Sequence, residues 1–328
     1  MEEKALRLSA VFLMILTAVS FVLLPKLPAL HTWEVEAREE RIAEEEFAQS
    51  QVTMQNLKIK EQNEAAGAKG ELSIRLPEGV TGDQIAVSND YVTQTIRVEI
   101  PQADRTYFDS YPVLGNSDYI DGLSYTRQGE TGVIEVTTNK VYELQTEYDA
   151  QNFYFNFLTP HEVYDKVVVI DAGHGGRAVG ANKQGINEKD IDLAIVLKLK
   201  EIFDNSDQNI GVYYTRTDDS NPTFDQRVQL ANKSDADLFI SIHNNSTRSG
   251  RMSGTSGTQV MYDETSEASR QFAQICLEEV TGRIGSRDKG LVEGDSIYII
   301  RTSELPVALI EDGIKTNNHE LQQPNSDA

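Results

Sequence analysis

Two histidines and two glutamates set the chemistry to be explained. His174 lies in the Gly-rich turn AGHGG after the apolar run VVVID, Glu188 precedes an amphipathic helical pattern, His243 closes the alternating run DLFISIH, and Glu311 closes PVALIE near the C-terminus. Imidazole nitrogens and carboxylate oxygens are donors that zinc takes at about 2 Å, and strand ends hold such distances better than mobile loops do. Three ligands with one carboxylate left for proton transfer would make a catalytic zinc site. Each residue alone also has an ordinary reading. The Gly-rich turn could cradle phosphate, although it lacks the Lys of a P-loop and the spacing of a dinucleotide fingerprint. Glu188 could simply stabilise a helix start, and His243 could be a satisfied rim residue.

The elements that would position these residues alternate in type. From Lys166 onward the order is VVVID, a helix from about Asp190 to Phe203, strand VYYT, a helix beginning near Pro222, strands DLFISIH and TQVMY, a long helix from about Ser266 to Ile284, and strands IYII and PVALIE. Residues 163–328 are therefore expected to form an α/β layered fold, with a central mostly parallel sheet flanked by helices and functional groups at strand ends. Residues 70–162 carry short alternating runs, LSIRL, QTIRVEI, GVIEVTT and NFYFNFL, separated by turn formers, and predict a small β-rich domain. Residues 31–69 are rich in Glu, Gln, Ala and Lys, with too few apolar positions for a coiled-coil seam; a polar, partly helical stalk is expected.

Residues 1–30 contain LSAVFLMILTAVSFVLLP, an uncharged run of eighteen residues from Leu8 to Pro25 that is long enough for a transmembrane helix. No small-x-small cleavage site follows directly, which favours a retained anchor over a cleaved signal. Lys4 and Arg7 precede the run and an acidic segment follows it, so the positive-inside rule puts the rest of the chain outside the cytoplasm. The expected location is a single-pass protein of the cell membrane, secreted if the segment is cleaved. The length of 328 residues suits two folded units, and the net charge of −22 excludes nucleic acid as a partner. Cys276 is the only cysteine, so no intrachain disulfide forms.

Five pieces in order, VVVIDAGHGG, GINEKDIDLAIVLKL, YYTRTDD, RVQLANKSDADLFISIHNN and PVALIEDGIKTNNHE, resemble the zinc-dependent N-acetylmuramoyl-L-alanine amidases that cut bacterial cell-wall peptidoglycan. The resemblance covers about Lys166 to Glu320. It implies Zn2+ held by His174, Glu188 and His243, with Glu311 as the catalytic carboxylate and Asn245, from the SIH-x-N pattern, against the substrate. The implied reaction is hydrolysis of the amide between N-acetylmuramic acid and L-alanine. A zinc peptidase acting within the stem peptide would use the same chemistry, and a noncatalytic wall-binding protein would lack a ligand or the carboxylate. Arg227 is as suited to pairing with a carboxylate in the fold and stays outside the site.

The β-rich residues, through YIDGLSYTRQGETGVIEVTT, resemble the AMIN-type wall-targeting domains that accompany such amidases, implying a wall or division-site partner; a passive spacer is the competing reading. Asp171-Ala172 stands where Asp-Pro is usual, and only LQQPNSDA follows Glu320. No long insertion separates His243 from the helix near Ser266, so nothing there resembles the blocking helix of some division amidases. Open access to the metal is expected.

Overall fold

The computed structural model describes residues 27–61, 69–245 and 257–314. The Leu8–Pro25 run read as an anchor lies outside the described residues, as do 315–328. Among the described residues no helix is long and apolar enough to cross a membrane.

The described chain begins with helix α1, Leu27–Ser50. Ten strands follow: β1 (Gln55–Asn56), β2 (Lys60–Glu61), β3 (Leu72–Arg75), β4 (Ala86–Asp90), β5 (Thr95–Pro101), β6 (Leu114–Gly115), β7 (Ile120–Gln128), β8 (Thr131–Thr138), β9 (Glu143–Tyr148) and β10 (Asn152–Leu158). They form two five-stranded sheets, ordered β1-β7-β8-β5-β4 and β2-β6-β3-β10-β9. Period-two alternation sends Ile96, Val98 and Ile100 from one sheet and Leu72, Ile74 and Phe155 from the other into a shared core.

The second unit is built on a six-stranded sheet. Its strands are β11 (Lys166–Ala172), β14 (Ile210–Tyr214), β15 (Leu238–Asn245), β16 (Thr258–Tyr262), β17 (Asp288–Glu293) and β18 (Val307–Ile314), in the order β14-β11-β15-β18-β16-β17. A small hairpin, β12 (Asn182–Lys183) and β13 (Ile186–Asn187), stands apart from it. Every neighbouring pair in the large sheet is parallel except β16 with β18. Helices α2 (Glu188–Asp204) and α4 (Glu267–Ile284) cover one face, where Val196, Ala273 and Leu277 pack on Ile170, Ile242, Ala308 and Ile310. Helices α3 (Phe224–Lys233) and α5 (Tyr298–Arg301) cover the other, packing Val228, Leu230 and Ile300 on Val167, Val169, Phe239, Val307 and Leu309.

Two local expectations change. IYII forms the turn of α5 rather than a strand, because a four-residue apolar run suits a buried helical turn as well as a strand. The edge strand β17, DKGLVE, was not expected, since an edge needs little apolar sequence.

Candidate metal centre

Strand parity decides which side chains meet. In β11, β15 and β18, Asp171, Ser241, His243 and Glu311 share the parity of Val169, Phe239 and Leu309, so all four project toward the face covered by α3 and α5. His243 and Glu311 are direct partners across the β15–β18 ladder. At the end of β11 the chain turns through Gly173, His174 (φ 59°), Gly175 (φ 142°) and Gly176 (φ 50°). His174 is a non-glycine residue in the left-handed region, which costs energy unless its surroundings enforce it. Gly173 is required by its neighbour: a Cβ there would lie 2.4 Å from Cε1 of the His243 ring.

Two arginines enforce the turn. Arg216 donates from Nε to the Ala172 carbonyl at 2.9 Å and from Nη2 to Gly173 O at 2.7 Å. Arg227 donates to Ala172 O and His174 O, both at 2.7 Å. Arg227 is in turn paired with Asp171 at 2.6 Å, both side chains being 2% exposed. Asp171 also accepts from the hydroxyls of Thr215 and Ser241. Burial pushes the Asp171 carboxyl up, but Arg227 and the two hydroxyls outweigh it and hold it at about 2.

Glu188, the first residue of α2, reaches over from the opposite face. Its Oε1 lies 3.3 Å from His174 Nε2 and 3.3 Å from His243 Nδ1, and accepts the Asn244 amide at 3.0 Å. Its Oε2 accepts from Ala181 N at 2.7 Å. One turn along α2, Asp192 is fully buried; its Oδ1 accepts from Asn244 Nδ2 at 2.9 Å. One donor atom from each of His174, Glu188, Asp192 and His243 lies within 4.8 Å of all the others. Glu311 lines the same cavity of about 270 Å³.

These residues fit a zinc ion. Donors at 2.0–2.2 Å around a tetrahedral zinc lie roughly 3.3–3.6 Å apart, which matches the two imidazole–Glu188 separations. Asp192 Oδ2 and Glu311 Oε2 are buried without hydrogen-bond partners, a condition protein interiors rarely tolerate and one that a cation would relieve, whereas the unpartnered His174 Nδ1 lies on the other edge of its ring from Nε2, toward Glu39. Negative charge is in excess, with Glu39, Glu188, Asp192 and Glu311 gathered around two imidazoles. Burial alone would lower His174, yet Glu188 and then Glu39 raise it well above its ordinary value. Burial and the charge of Glu188 raise Asp192 well above its ordinary value and lift Glu311 to about 7. Glu188 goes the other way: burial opposes ionisation, but His174 holds it well below the usual range.

The structure thus brings His174, Glu188, His243 and Glu311 together. Asn245 ends β15 beside a register irregularity, opposite Ile314, and its side chain lies outside the described residues. Two participants were not anticipated. Asp192 carried one signal, its i+4 spacing from Glu188 on a single helix face. Glu39 comes from the segment read as a stalk, and its Oε2 lies 3.2 Å from His174 Nδ1 without hydrogen-bond geometry. The expectation of open access is corrected accordingly. No covering element was foreseen between His243 and Ser266, but α1 supplies one from the N-terminal side, and Thr32, Val35, Glu36 and Glu39 wall the cavity.

Residues 168–328 match the family described as N-acetylmuramoyl-L-alanine amidase. The uncharacterized protein YqiI of Bacillus subtilis is 36% identical over 168 residues, covering 49% of this chain and 76% of its own length. The N-acetylmuramoyl-L-alanine amidase CwlM of Bacillus licheniformis is 30% identical over 161 residues, covering 49% of this chain and 61% of its own. Among solved structures, the N-acetylmuramoyl-L-alanine amidase from Clostridium difficile 630 is 32% identical, with a TM-score of 0.47, and the match covers 49% of this chain and 87% of that one.

Proposed function

Because this chain belongs to the N-acetylmuramoyl-L-alanine amidase family, we propose that it hydrolyses the amide joining N-acetylmuramic acid to L-alanine in peptidoglycan, as a zinc enzyme. The observation that carries this reading is the convergence of His174, Glu188 and His243, with the Glu311 carboxylate facing them from the ladder position beside His243.

His174, Glu188 and His243 would hold the Zn2+. Bound there, zinc polarises the scissile carbonyl and lowers the pKa of a water from about 15.7 towards 7. Arg216 and Arg227 keep the His174 turn in its left-handed conformation, and Gly173 leaves room for the His243 ring. An amide nitrogen leaves poorly unless protonated, so a carboxyl must take the proton of the attacking water and deliver it to that nitrogen. Glu311 is placed for both halves of the transfer, since it lines the same cavity and stands beside His243 on the β15–β18 ladder. On the same reading Leu8–Pro25 tethers the catalytic unit outside the cytoplasm, and residues 70–162 hold it against the wall or a division-site partner.

Mass spectrometry of muropeptides digested by the zinc-loaded chain tests the proposal. Free stem peptides beginning with L-alanine support it, shortened stems still attached to sugar indicate a peptidase, and intact muropeptides indicate a binding protein. Glu311→Gln is expected to keep zinc and lose turnover by roughly 10²–10⁴-fold; normal turnover would remove Glu311 from the mechanism.

A further inference from the structure

Helix α1 crosses the mouth of the metal centre, and the face it turns inward is made of carboxylates. Glu36, Glu39, Glu40, Ala43 and Glu46 recur at spacings of three and four, so they form one stripe. Glu36 accepts the Tyr298 amide at 2.6 Å and lies 3.5 Å from Arg301 Nη1. Glu39 stands 3.2 Å from His174 Nδ1. Glu40 accepts the Phe224 amide at 2.7 Å, and Ala43 is 2% exposed. Glu46 accepts from the amide and Nε of Arg177 and from Nδ2 of Asn221, each at 3.0 Å. The contacts from Glu36 to Glu46 span roughly 15 Å of helix and pass directly over the metal centre.

A permanent strut would bury an apolar stripe. Here Trp33 and Phe47 remain 52% and 38% exposed while the charged side chains point inward. The amide bonds to Glu36 and Glu40 do not offset the burial of these carboxylates, both of which are raised above their ordinary values, so the covered state can open. The donors that α1 occupies, Arg177, Arg301 and the amides of Phe224 and Tyr298, form a row that accepts carboxylates on both sides of the centre.

We infer that α1 is a tethered pseudosubstrate: it covers the mouth of the metal centre, with Glu39 lodged behind His174 at Nδ1, and the flanking glutamates fill subsites that read the carboxylates of an acidic peptide substrate once α1 withdraws. The substrate part rests on the amidase reading; the closure does not.

The test uses the full chain loaded with zinc and the triple variant Glu36→Ala/Glu40→Ala/Glu46→Ala, in which alanine preserves helix propensity. Release of α1 should abolish amide-exchange protection of residues 36–46, speed zinc extraction by excess chelator by roughly ten-fold, and raise muropeptide turnover by a similar factor. Equilibrium zinc affinity should stay within roughly two-fold, because the three positions touch no donor of the metal centre. Unchanged protection and extraction would overturn the closure, as would release of α1 with no gain in extraction rate. Glu39→Ala alone separates closure from simple orientation of His174: faster extraction at unchanged affinity supports closure, and weakened affinity with lost turnover overturns it. In the triple variant, Arg177→Ala should raise KM at constant kcat; an unchanged KM would overturn the subsite assignment. Protection and extraction are read without substrate, so a released helix with no free stem peptides would sink the amidase reading and leave the closure standing.

Discussion

Replacing Asp171 by asparagine tests whether the metal centre depends on a buried ion pair. The substitution preserves volume and removes the charge opposite Arg227, whose side chain is 2% exposed. It also turns one acceptor oxygen into a donor, although Arg227, Thr215 and Ser241 all donate to this carboxylate. Breaking a buried pair from one side costs about 3–5 kcal/mol, because the remaining charge is left uncompensated. Arg227 keeps the carbonyls of Pro222, Ala172 and His174, which argues for the lower end, about 3 kcal/mol. The titration of Asp171 points to the same size: lowering its carboxyl from 3.8 to about 2 corresponds to roughly 2–3 kcal/mol. Because the folded value is depressed, that stability is fully present above about pH 4 and disappears as pH falls through about 2. Denaturant titration in the presence of EDTA, which keeps metal linkage out of the measurement, should show a lower midpoint at unchanged slope. The wild-type and Asp171→Asn curves should converge between pH 4 and pH 2. Adding Arg227→Met should cost less than the sum of the single changes, since it removes the stranded charge. Zinc affinity should fall roughly 10–100-fold, because Arg227 holds the carbonyl of His174. A loss below about 1 kcal/mol at pH 7, with curves parallel in pH, would refute this account.

Gly173→Ala should weaken zinc binding by roughly ten-fold or more, because the new Cβ would meet the His243 ring; native affinity in chelator competition would contradict that packing. Glu143→Ala removes the acceptor shared by the hydroxyls of Tyr91, in the β-rich unit, and Tyr213, on β14, at 2.9 and 2.6 Å. Glu143 is on β9, so only the Tyr213 bond crosses between the units. Losing it, about 1.5–3 kcal/mol for a bond to a charged group, should split unfolding of the two units into separate calorimetric transitions; one unchanged transition would count against this docking. Burial lifts the Cys276 thiol to about 11, so on the order of one thiol in a thousand is ionised at pH 8. Iodoacetamide should label it much faster in denaturant than in the folded chain, and equal rates would place the thiol at the surface.

Apolar burial is written into a chain as a period, and polar docking is not. VVVID, FISIH and VALIE are nearly continuous apolar runs because both faces of their sheet are covered, and counting along them in steps of two already places Asp171, His243 and Glu311 on one side of the sheet. Parallel pairing then aligns their ends, so the core of the candidate site is legible in the sequence itself. IYII could not be read in the same way, since four apolar residues satisfy a helical turn and a strand equally. Asp192 was hidden for a different reason: a carboxylate inside an amphipathic helix normally belongs to the wet face, and only its spacing from Glu188 marks it as turned inward. The stripe on α1 is further still from recovery. Glu46 finds Asn221 across 175 residues and Glu36 finds Tyr298 across 262, through amide and guanidinium donors that leave no pattern in the local sequence. A glutamate-rich helix reads as solvated because most are. What makes this one different is the geometry of the donors it meets, and that geometry exists only after the sheet, its Gly-rich turn and the short helix α5 have formed.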